Sequence, residues 1–513
     1  MADTERIGPR FPIGDMPEEE FRRLGYAAVD LMTEYLAGIR DRPAWQPVPD
    51  DVGASLIEEP VPEAGDAVDK LLDDFRRRIL PYPYGNGHPR WWGYVAPSPT
   101  PVGILGQALA TAIDANAWGG NQAATYVEMG VLDWLKDLLG YPRESGGLLV
   151  SGGSEANLTA LAIARGGAGW DVRRRGLTVP EARPLTVYAS REVHSSIPKA
   201  LELLGLGTES LRQVEVDEGY RMDVADLERR VAEDRAAGYL PLAVVASAGT
   251  VNTGAIDPLD RIAAVARRER LWFHVDGAYG GFAALSPALR ARFAGMEQAD
   301  SLVVDPHKWL YVPFAAGCVL VRDAAAMERT FATTPAYLHL PPDSPYAGPA
   351  FFSDRGLQLS REFQALKIWF SLRHHGRQAY AAAIEHDVQM AQHLSGLVEE
   401  APDFELLAPV ELSIVCFRYV PADLRVISER EDVRSYLNAL NERILSALQW
   451  DGTAFLSGTQ LRGRTALRAC ILNFRSALED ARIMLDEVRE IGLRMDHTDV
   501  RAEFGLGAAA KAA

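Results

Sequence analysis

Cysteine is nearly missing: the 513 residues hold three, Cys318, Cys416 and Cys470. They stand far apart in apolar surroundings, with neither metal-ligand spacing nor the density of a disulfide framework, so they read as inert core thiols and no metal centre is expected. Basic charge is also short, with 53 Lys and Arg against 70 Asp and Glu and a net charge of −17. That balance opposes attraction to phosphate backbones and anionic lipid, which argues against nucleic-acid and membrane partners. No run reaches the ~18 apolar residues of a membrane span. The opening MADTERIGPRFPIGDMPEEE lacks a basic stretch followed by an apolar one, so the expected location is cytoplasmic. What remains is 48% hydrophobic and 24% charged, an ordinary globular composition with length for about three domains at roughly 150 residues each.

Along the chain, Asp15, Pro17 and Glu18 form a helix-start signal. Phe21, Leu24, Ala28, Leu31, Met32 and Tyr35 follow at helical spacing and predict one apolar stripe. Residues 41–66 read as an extended linker, and Leu71, Leu72, Phe75 and Ile79 predict a second helical stretch. These early helices are too few to enclose a core and are expected to pack on another surface. From about 100 to 330 the short runs GLLV, LTVYA, LAVVAS, LWFHV, SLVV and GCVLV alternate with helical stretches, the texture of an α/β domain with a largely parallel sheet. A long helix after 360 leads into a smaller α+β region with ELSIVCFRYV and ALRACILNF as strands. No internal repeat is visible. The expected divisions are an N-terminal helical segment (1–95), a large α/β domain (96–370), a small C-terminal domain (371–495) and a tail (496–513).

Three motifs carry chemistry. Ser151 to Asn157, SGGSEAN, lies between a strand and a helix, where free backbone N–H groups can hold a phosphate; a plain tight turn would use the same glycines. Asp276 in HVDGAYGG ends a buried strand, where a carboxylate needs a strong partner such as an aromatic nitrogen cation, or caps the next helix. Lys308 in DPHKWL sits between apolar segments, as a functional amine for Schiff-base chemistry or as a loop lysine. Together they supply what pyridoxal phosphate needs: a phosphate cradle, a partner for the pyridine nitrogen and an amine for the aldehyde.

On HVDGAYGG, DPHKWL and LSREFQALKIWF, with support from GGSEAN, HSS at 194–196 and ALRACILNFR, the chain resembles the group II pyridoxal-phosphate-dependent decarboxylases, and within them the aromatic-L-amino-acid decarboxylases. The resemblance spans roughly residues 15 to 495. It implies the aspartate aminotransferase-like fold type I of pyridoxal-phosphate enzymes, a homodimer with its site at the interface, and N-terminal helices that wrap the partner. It also implies roles. Lys308 binds the cofactor aldehyde, Asp276 pairs with the ring nitrogen, and His194 and Ala278 flank the ring. Gly153, Ser154 and His307 lie on the phosphate side, Thr250 contacts the cofactor, and Ser360 reaches the phosphate of the neighbouring subunit. Tyr337, in FATTPAYLHLPPDSPYAG, matches the loop tyrosine that protonates Cα. Members that make aldehydes by oxidative deamination carry phenylalanine there, so Tyr337 favours amine formation.

For the substrate, HPRWWGYVAPSP resembles the aromatic-rich pocket segment, which nominates Trp91, Trp92 and Tyr94, unless these are core aromatics. Asn86, Asp114 and Asn116 depart from the apolar residues common in such pockets, which keeps decarboxylases of glutamate, aspartate and diaminobutyrate in contention. Ser360 tilts the reading toward tyrosine-like substrates. A rival reading takes Ser154, Asp276 and His307 as a hydrolase triad in α/β-hydrolase order. Ala156 in place of the final elbow glycine, and the lack of a role for Lys308, count against it.

Overall fold

A strand covered on both faces buries every side chain whichever way it points, so it reads as a continuous apolar run. The computed structural model describes residues 16–333, 335, 340–341, 343–504 and 506, and six such runs are strands in it. In chain order the strands are β1 (Trp91–Trp92), β2 (Gly146–Val150), β3 (Leu185–Ser190), β4 (Leu211–Val214), β5 (Leu240–Ser247), β6 (Trp272–Asp276), β7 (Ser301–Val304), β8 (Gly317–Val321), β9 (Phe404–Leu406), β10 (Ile414–Tyr419), β11 (Phe455–Leu461) and β12 (Arg464–Cys470). Every residue of β2, β3, β7 and β8 is buried. Full burial of a Val or Leu side chain contributes roughly 1.5–3 kcal/mol, so these strands form the stabilising centre of the chain.

Among the described residues the larger sheet has seven strands in the order β2-β8-β7-β6-β5-β3-β4. Neighbours are parallel except that β8 runs antiparallel to both β2 and β7. Two reversals cancel, so β2, β3, β5, β6 and β7 all point their carboxyl ends at one edge. That edge is where an open α/β sheet holds its ligand. The expected largely parallel sheet is therefore present. β4, at the sheet margin, was not legible because Leu211 and Arg212 are only half-buried and Gln213 is exposed.

The smaller sheet has the order β1-β11-β12-β10-β9 among the described residues, antiparallel except for the β1–β11 pair. Helices Glu431–Asp451 and Leu478–Met495 bury Leu437, Ile444 and Val488 against Phe404, Phe417 and Leu467. Helix Ala365–Glu400 links this unit to the larger one, and Gly376 within it adopts φ 74°. The expected boundary at 370 lies inside this helix, and β1 adds residues before 96 to the smaller sheet.

The first helix spans Glu18–Ala37, with Leu24 as its one buried residue; Asp15 lies outside the described residues. Of the predicted stripe, Leu24 is buried and Ala28, Leu31 and Tyr35 are half-buried, while Phe21 and Met32 stay exposed, so the described residues cover it only in part. The stretch expected to be extended contains the helix Asp50–Ile57, a correction: Pro49 and the acidic pair Asp50 and Asp51 start a helix, although its Gly53 and the surrounding prolines suggested a linker. Among the described residues no helix is long and apolar enough to cross a membrane. All three cysteines are buried and unpaired, and burial pushes Cys470 up to about 11 and Cys416 up to about 12.

Candidate active site

The common carboxyl edge brings together residues that are distant in sequence. Gly152, Gly153 and Ser154 follow β2, His194 follows β3, Thr250 follows β5, Asp276 ends β6, and His307 and Lys308 follow β7. All line one cavity of about 570 Å³, with Ala278, Asp305, Tyr94, Asn252 and Arg468 also in its wall.

At the β2 side of the cavity, helix Gly153–Gly166 begins without a capping side chain. The first N–H groups of any helix have no partner within it and carry the positive end of its dipole. Small residues make this start accessible. A Cβ on Gly153 would lie 3.0 Å from the Ala278 Cβ and 3.1 Å from an Asp305 carboxylate oxygen, and one on Gly317 would lie 2.5 Å from the Gly152 Cα. The turn therefore packs directly on the start of β8, where Gly317 leaves no room for a Cβ, and a side chain on Gly153 would press on Ala278 and Asp305. Beside it, the backbone N–H of Ala316 donates to His307 Nδ1 at 3.2 Å, which leaves the imidazole proton on Nε2. Burial pushes His307 below the usual histidine range.

Lys308 Nζ lies 2.9 Å from Asp305 Oδ2, and His307 Nε2 lies 3.7 Å from the same oxygen. Asp305 is 1% exposed, and its Oδ1 has no partner. An amine held this way is oriented yet still on the cavity wall. Trp309 and Tyr311, just after the lysine, both donate to the buried Asp387 carboxylate of the long helix, which pins the lysine's segment to the protein interior.

The Asp276 carboxylate accepts from Asn157 Nδ2 at 2.9 Å and from the Ala278 backbone N–H at 3.1 Å. No cation of the protein is bonded to it among the described residues, so a buried acceptor faces the cavity with capacity left for a cationic ring nitrogen. His194 Nδ1 is bonded to Ser196 Oγ at 2.8 Å and accepts from the Ser196 backbone N–H at 3.2 Å. Burial pushes His194 down, against the opposing pull of Asp276. Thr250 is 1% exposed and shares a hydrogen bond with Thr253.

Arg468 is a site residue that sequence reading missed; its motif was visible, but its side-chain direction was not. Its Nε donates to the carbonyls of Val251 and Asn252, and Nη1 donates to Tyr94 O and Ser457 Oγ. Its Nη2 has no partner. A buried guanidinium nitrogen left unpaired in a cavity wall is costly unless an anion meets it.

Of the aromatics nominated for substrate, only Tyr94 lines the cavity. Trp91 and Trp92 are corrections: both are buried, Trp91 stacks on Phe455 with centroids 5.4 Å apart, and Trp92 Nε1 donates to Ser476 Oγ. The reason is their pairing as β1 against β11, which turns both rings into core. Ser360 is exposed and absent from this chain's cavity wall. Tyr337 lies outside the described residues. The hydrolase triad is not assembled: Asp276 is held by Asn157 and Ala278, and no hydrogen bond joins Ser154 to His307 among the described residues. The unpaired Arg468 Nη2, the uncapped helix start, the Asp276 carboxylate at the end of β6 and the lysine on the cavity wall fit pyridoxal phosphate and its amino-acid partner.

Comparison with known proteins agrees with this geometry. Residues 49–420 match the family model of the pyridoxal-dependent decarboxylase conserved domain. The chain is 34% identical over 464 residues to an aromatic-L-amino-acid decarboxylase of Bacillus atrophaeus, covering 90% of this chain and 93% of that protein. It is 30% identical over 466 residues to a phenylacetaldehyde synthase of Arabidopsis thaliana, covering 89% and 92%. Among solved structures, the Oryza sativa TDC with PLP and tryptamine superposes with a TM-score of 0.86 at 27% identity, covering 94% of this chain and 100% of that one.

Proposed function

The chain belongs to the pyridoxal-dependent decarboxylase family, and from that premise we propose that it converts an aromatic L-amino acid to the corresponding amine and carbon dioxide. The observation that carries the proposal is the single cavity in which Lys308, Asp276, His194 and the uncapped helix start at Gly153 converge, joined to 34% identity with an aromatic-L-amino-acid decarboxylase. Bound pyridoxal phosphate supplies an electron-withdrawing ring that takes up the electron pair released when the bond from Cα to the carboxylate breaks.

The residues divide the work. Lys308 would hold the cofactor aldehyde and yield it to the substrate amine, with Asp305 positioned to keep the freed ammonium in place. Asp276 would pair with the ring nitrogen, and an ionised partner there keeps the ring electron-poor. His194 and Ala278 would flank the ring, while Gly153, Ser154, His307 and Thr250 would hold the phosphate end. Arg468 offers its unpaired Nη2 to a substrate carboxylate, and Tyr94 is the nominated aromatic residue that lines the cavity. Tyr337 would deliver the proton to Cα, the step that separates an amine product from an aldehyde.

The working unit in this reading is a homodimer. Helix Pro101–Ile113 exposes Leu105, Leu109 and Ile113 at four-residue spacing, and Leu357 and Leu359 beside Ser360 are exposed as well. An apolar helix face of this kind marks a contact surface, and Ser360 would then serve the neighbouring subunit's phosphate. The proposed domain plan keeps the divisions 1–95, 96–370, 371–495 and 496–513, except that β1 joins the sheet of the smaller unit and the boundary near 370 falls within helix Ala365–Glu400. Product analysis by mass spectrometry with tyrosine, dihydroxyphenylalanine, phenylalanine, tryptophan, glutamate, aspartate and diaminobutyrate tests the function. Aromatic amines support it, and products from the acidic or basic substrates alone would move the chain to another branch.

A further inference from the structure

Behind the Asp276 carboxylate lies a chain of side chains, buried except for the half-buried Trp272, that the decarboxylation chemistry does not use. Trp272, His274 and Asp276 alternate along β6, so they share one face of the sheet. Ser301 is the register partner of His274 on β7, and Asn157 comes down from helix Gly153–Gly166. Trp272 Nε1 lies 2.8 Å from Ser301 Oγ, Ser301 Oγ lies 2.8 Å from His274 Nδ1, and His274 Nε2 lies 2.9 Å from Asn157 Oδ1. Asn157 Nδ2 lies 2.9 Å from Asp276 Oδ2 and 2.9 Å from Ser196 Oγ, whose hydroxyl is 2.8 Å from His194 Nδ1.

The ends of this chain fix the direction of every bond in it. An indole N–H can only donate and a carboxylate can only accept. Trp272 therefore donates to Ser301, and because Asp276 takes the Asn157 NH2 group the amide oxygen faces His274 Nε2, so the neutral ring accepts the Ser301 hydroxyl hydrogen at Nδ1. The imidazole proton is then on Nε2 and donates to the Asn157 carbonyl. With the amide so oriented, its two N–H bonds go to Asp276 and to Ser196. Ser196, having accepted, donates to His194 Nδ1, and the His194 proton is left on Nε2. Flipping the Asn157 amide would set an oxygen against the carboxylate and an NH2 group against the His274 N–H. Every member therefore has one consistent assignment, and buried networks satisfied in this way are rigid. Burial holds His274 down at about 4, so it stays neutral, as its place in the chain requires.

We infer that Asn157, backed by His274, Ser301 and Trp272, is a positioning residue that couples the two groups on either side of the cofactor ring: one amide N–H fixes the Asp276 carboxylate that meets the ring nitrogen, and the other, through Ser196, fixes the tautomer of His194. The inference rests on the pyridoxal-phosphate reading of the cavity. Asn157 acts on Asp276 directly, whereas His274 and Ser301 act only through the amide, so their effects must be contained within that of Asn157. The branch to His194 is separable. The charged groups around His194 are Asp276, Asp305, Lys308 and Lys199. Removing the Ser196 hydroxyl deletes a donor that opposes protonation of Nδ1, so the imidazole takes a proton more readily.

The test is a cofactor titration of the wild-type chain, N157L, H274L, the double variant and S301A, read as the dissociation constant for pyridoxal phosphate and as the pH midpoint of the bound-cofactor absorbance. N157L is expected to weaken binding at least about tenfold and to shift the midpoint. H274L and S301A are expected to weaken it by about two- to fourfold, with the double variant no worse than N157L. S196A is expected to leave the dissociation constant within twofold of wild type and to move the acid limb of the kcat/KM profile to higher pH. A folded N157L that binds within twofold of wild type overturns the inference, as does a double variant whose loss equals the product of the single losses. Should N157L fail to fold, S301A carries the decision, since wild-type binding by it breaks the chain of dependence. A wild-type chain that bound no pyridoxal phosphate would instead remove the reading beneath, and is distinguishable for that reason.

Discussion

Arg361 and Glu128 form an ion pair inside the protein, and its removal gives a calculable loss. Arg361 Nη2 donates to Glu128 Oε1 at 2.6 Å and to Leu149 O at 2.7 Å, while Nη1 donates to Glu128 Oε2 at 3.0 Å and to Ala117 O at 2.6 Å. The residues are 6% and 1% exposed. The pair ties the segment carrying Ser360 to β2 immediately before the Ser151–Gly153 turn, so it is a structural anchor of the cofactor edge. Arg361→Met keeps most of the volume and leaves the Glu128 carboxylate buried with only the Leu149 N–H beside it. Breaking one side of such a pair costs about 3–5 kcal/mol. With an unfolding entropy of roughly 2.1 cal/mol/K per residue over 513 residues, one cooperative transition would shift by about 3–5 °C. Adding Glu128→Leu removes the stranded charge, and the double variant is expected to recover more than half of the loss. Differential scanning calorimetry of the apoprotein reads both shifts. An Arg361→Met variant as stable as wild type, or a double variant less stable than the single, would refute the reasoning.

Other outcomes follow from the same structure. Burial raises Asp387 to about 7, so the folded chain holds that proton more tightly than the unfolded one. Its stabilising contribution is complete below the unfolded pKa near 3.8 and is lost as pH rises through about 7. Asp387→Asn should therefore flatten the fall in apoprotein Tm between pH 5.5 and 8.5, and parallel wild-type and variant curves would contradict this. Leu105→Glu with Leu109→Glu should give a monomer by light scattering with activity at least about tenfold lower, because a charge in an apolar interface is strongly opposed; an active dimer would dismiss that surface as the contact. Tyr337→Phe should divert product from amine toward aldehyde, ammonia and peroxide when oxygen is supplied, and an unchanged amine yield would remove Tyr337 from the proton step.

The larger sheet was legible because its central strands are covered on both faces, so GLLV, LTVYA, LAVVAS, LWFHV, SLVV and GCVLV stood out as apolar runs. β4 and β11 were not, since LRQV and FLSGTQL mix exposed and buried positions. The first helix showed its period but not its partner, because among the described residues nothing covers Phe21 and Met32. In the site, residues at strand ends could be read from local motifs: Gly153, His194, Asp276 and Lys308 each follow or end an apolar run, and the sheet topology brings them together. Asn157 and Arg468 could not be weighted that way, because their roles depend on side chains meeting from different elements. Trp91 and Trp92 misled for the opposite reason, being rich in aromatic surface yet spent on the core around Phe455.

The most direct test of the central claim is product analysis after incubating the chain and pyridoxal phosphate with aromatic L-amino acids, beside a Lys308→Ala control that retains its fold. The account predicts aromatic amine and carbon dioxide in equal amounts from the wild type, with amine formation at least about a thousandfold slower in the control once its covalent amine is lost. Equal turnover by the Lys308→Ala chain, or no amine from any aromatic substrate, would contradict it.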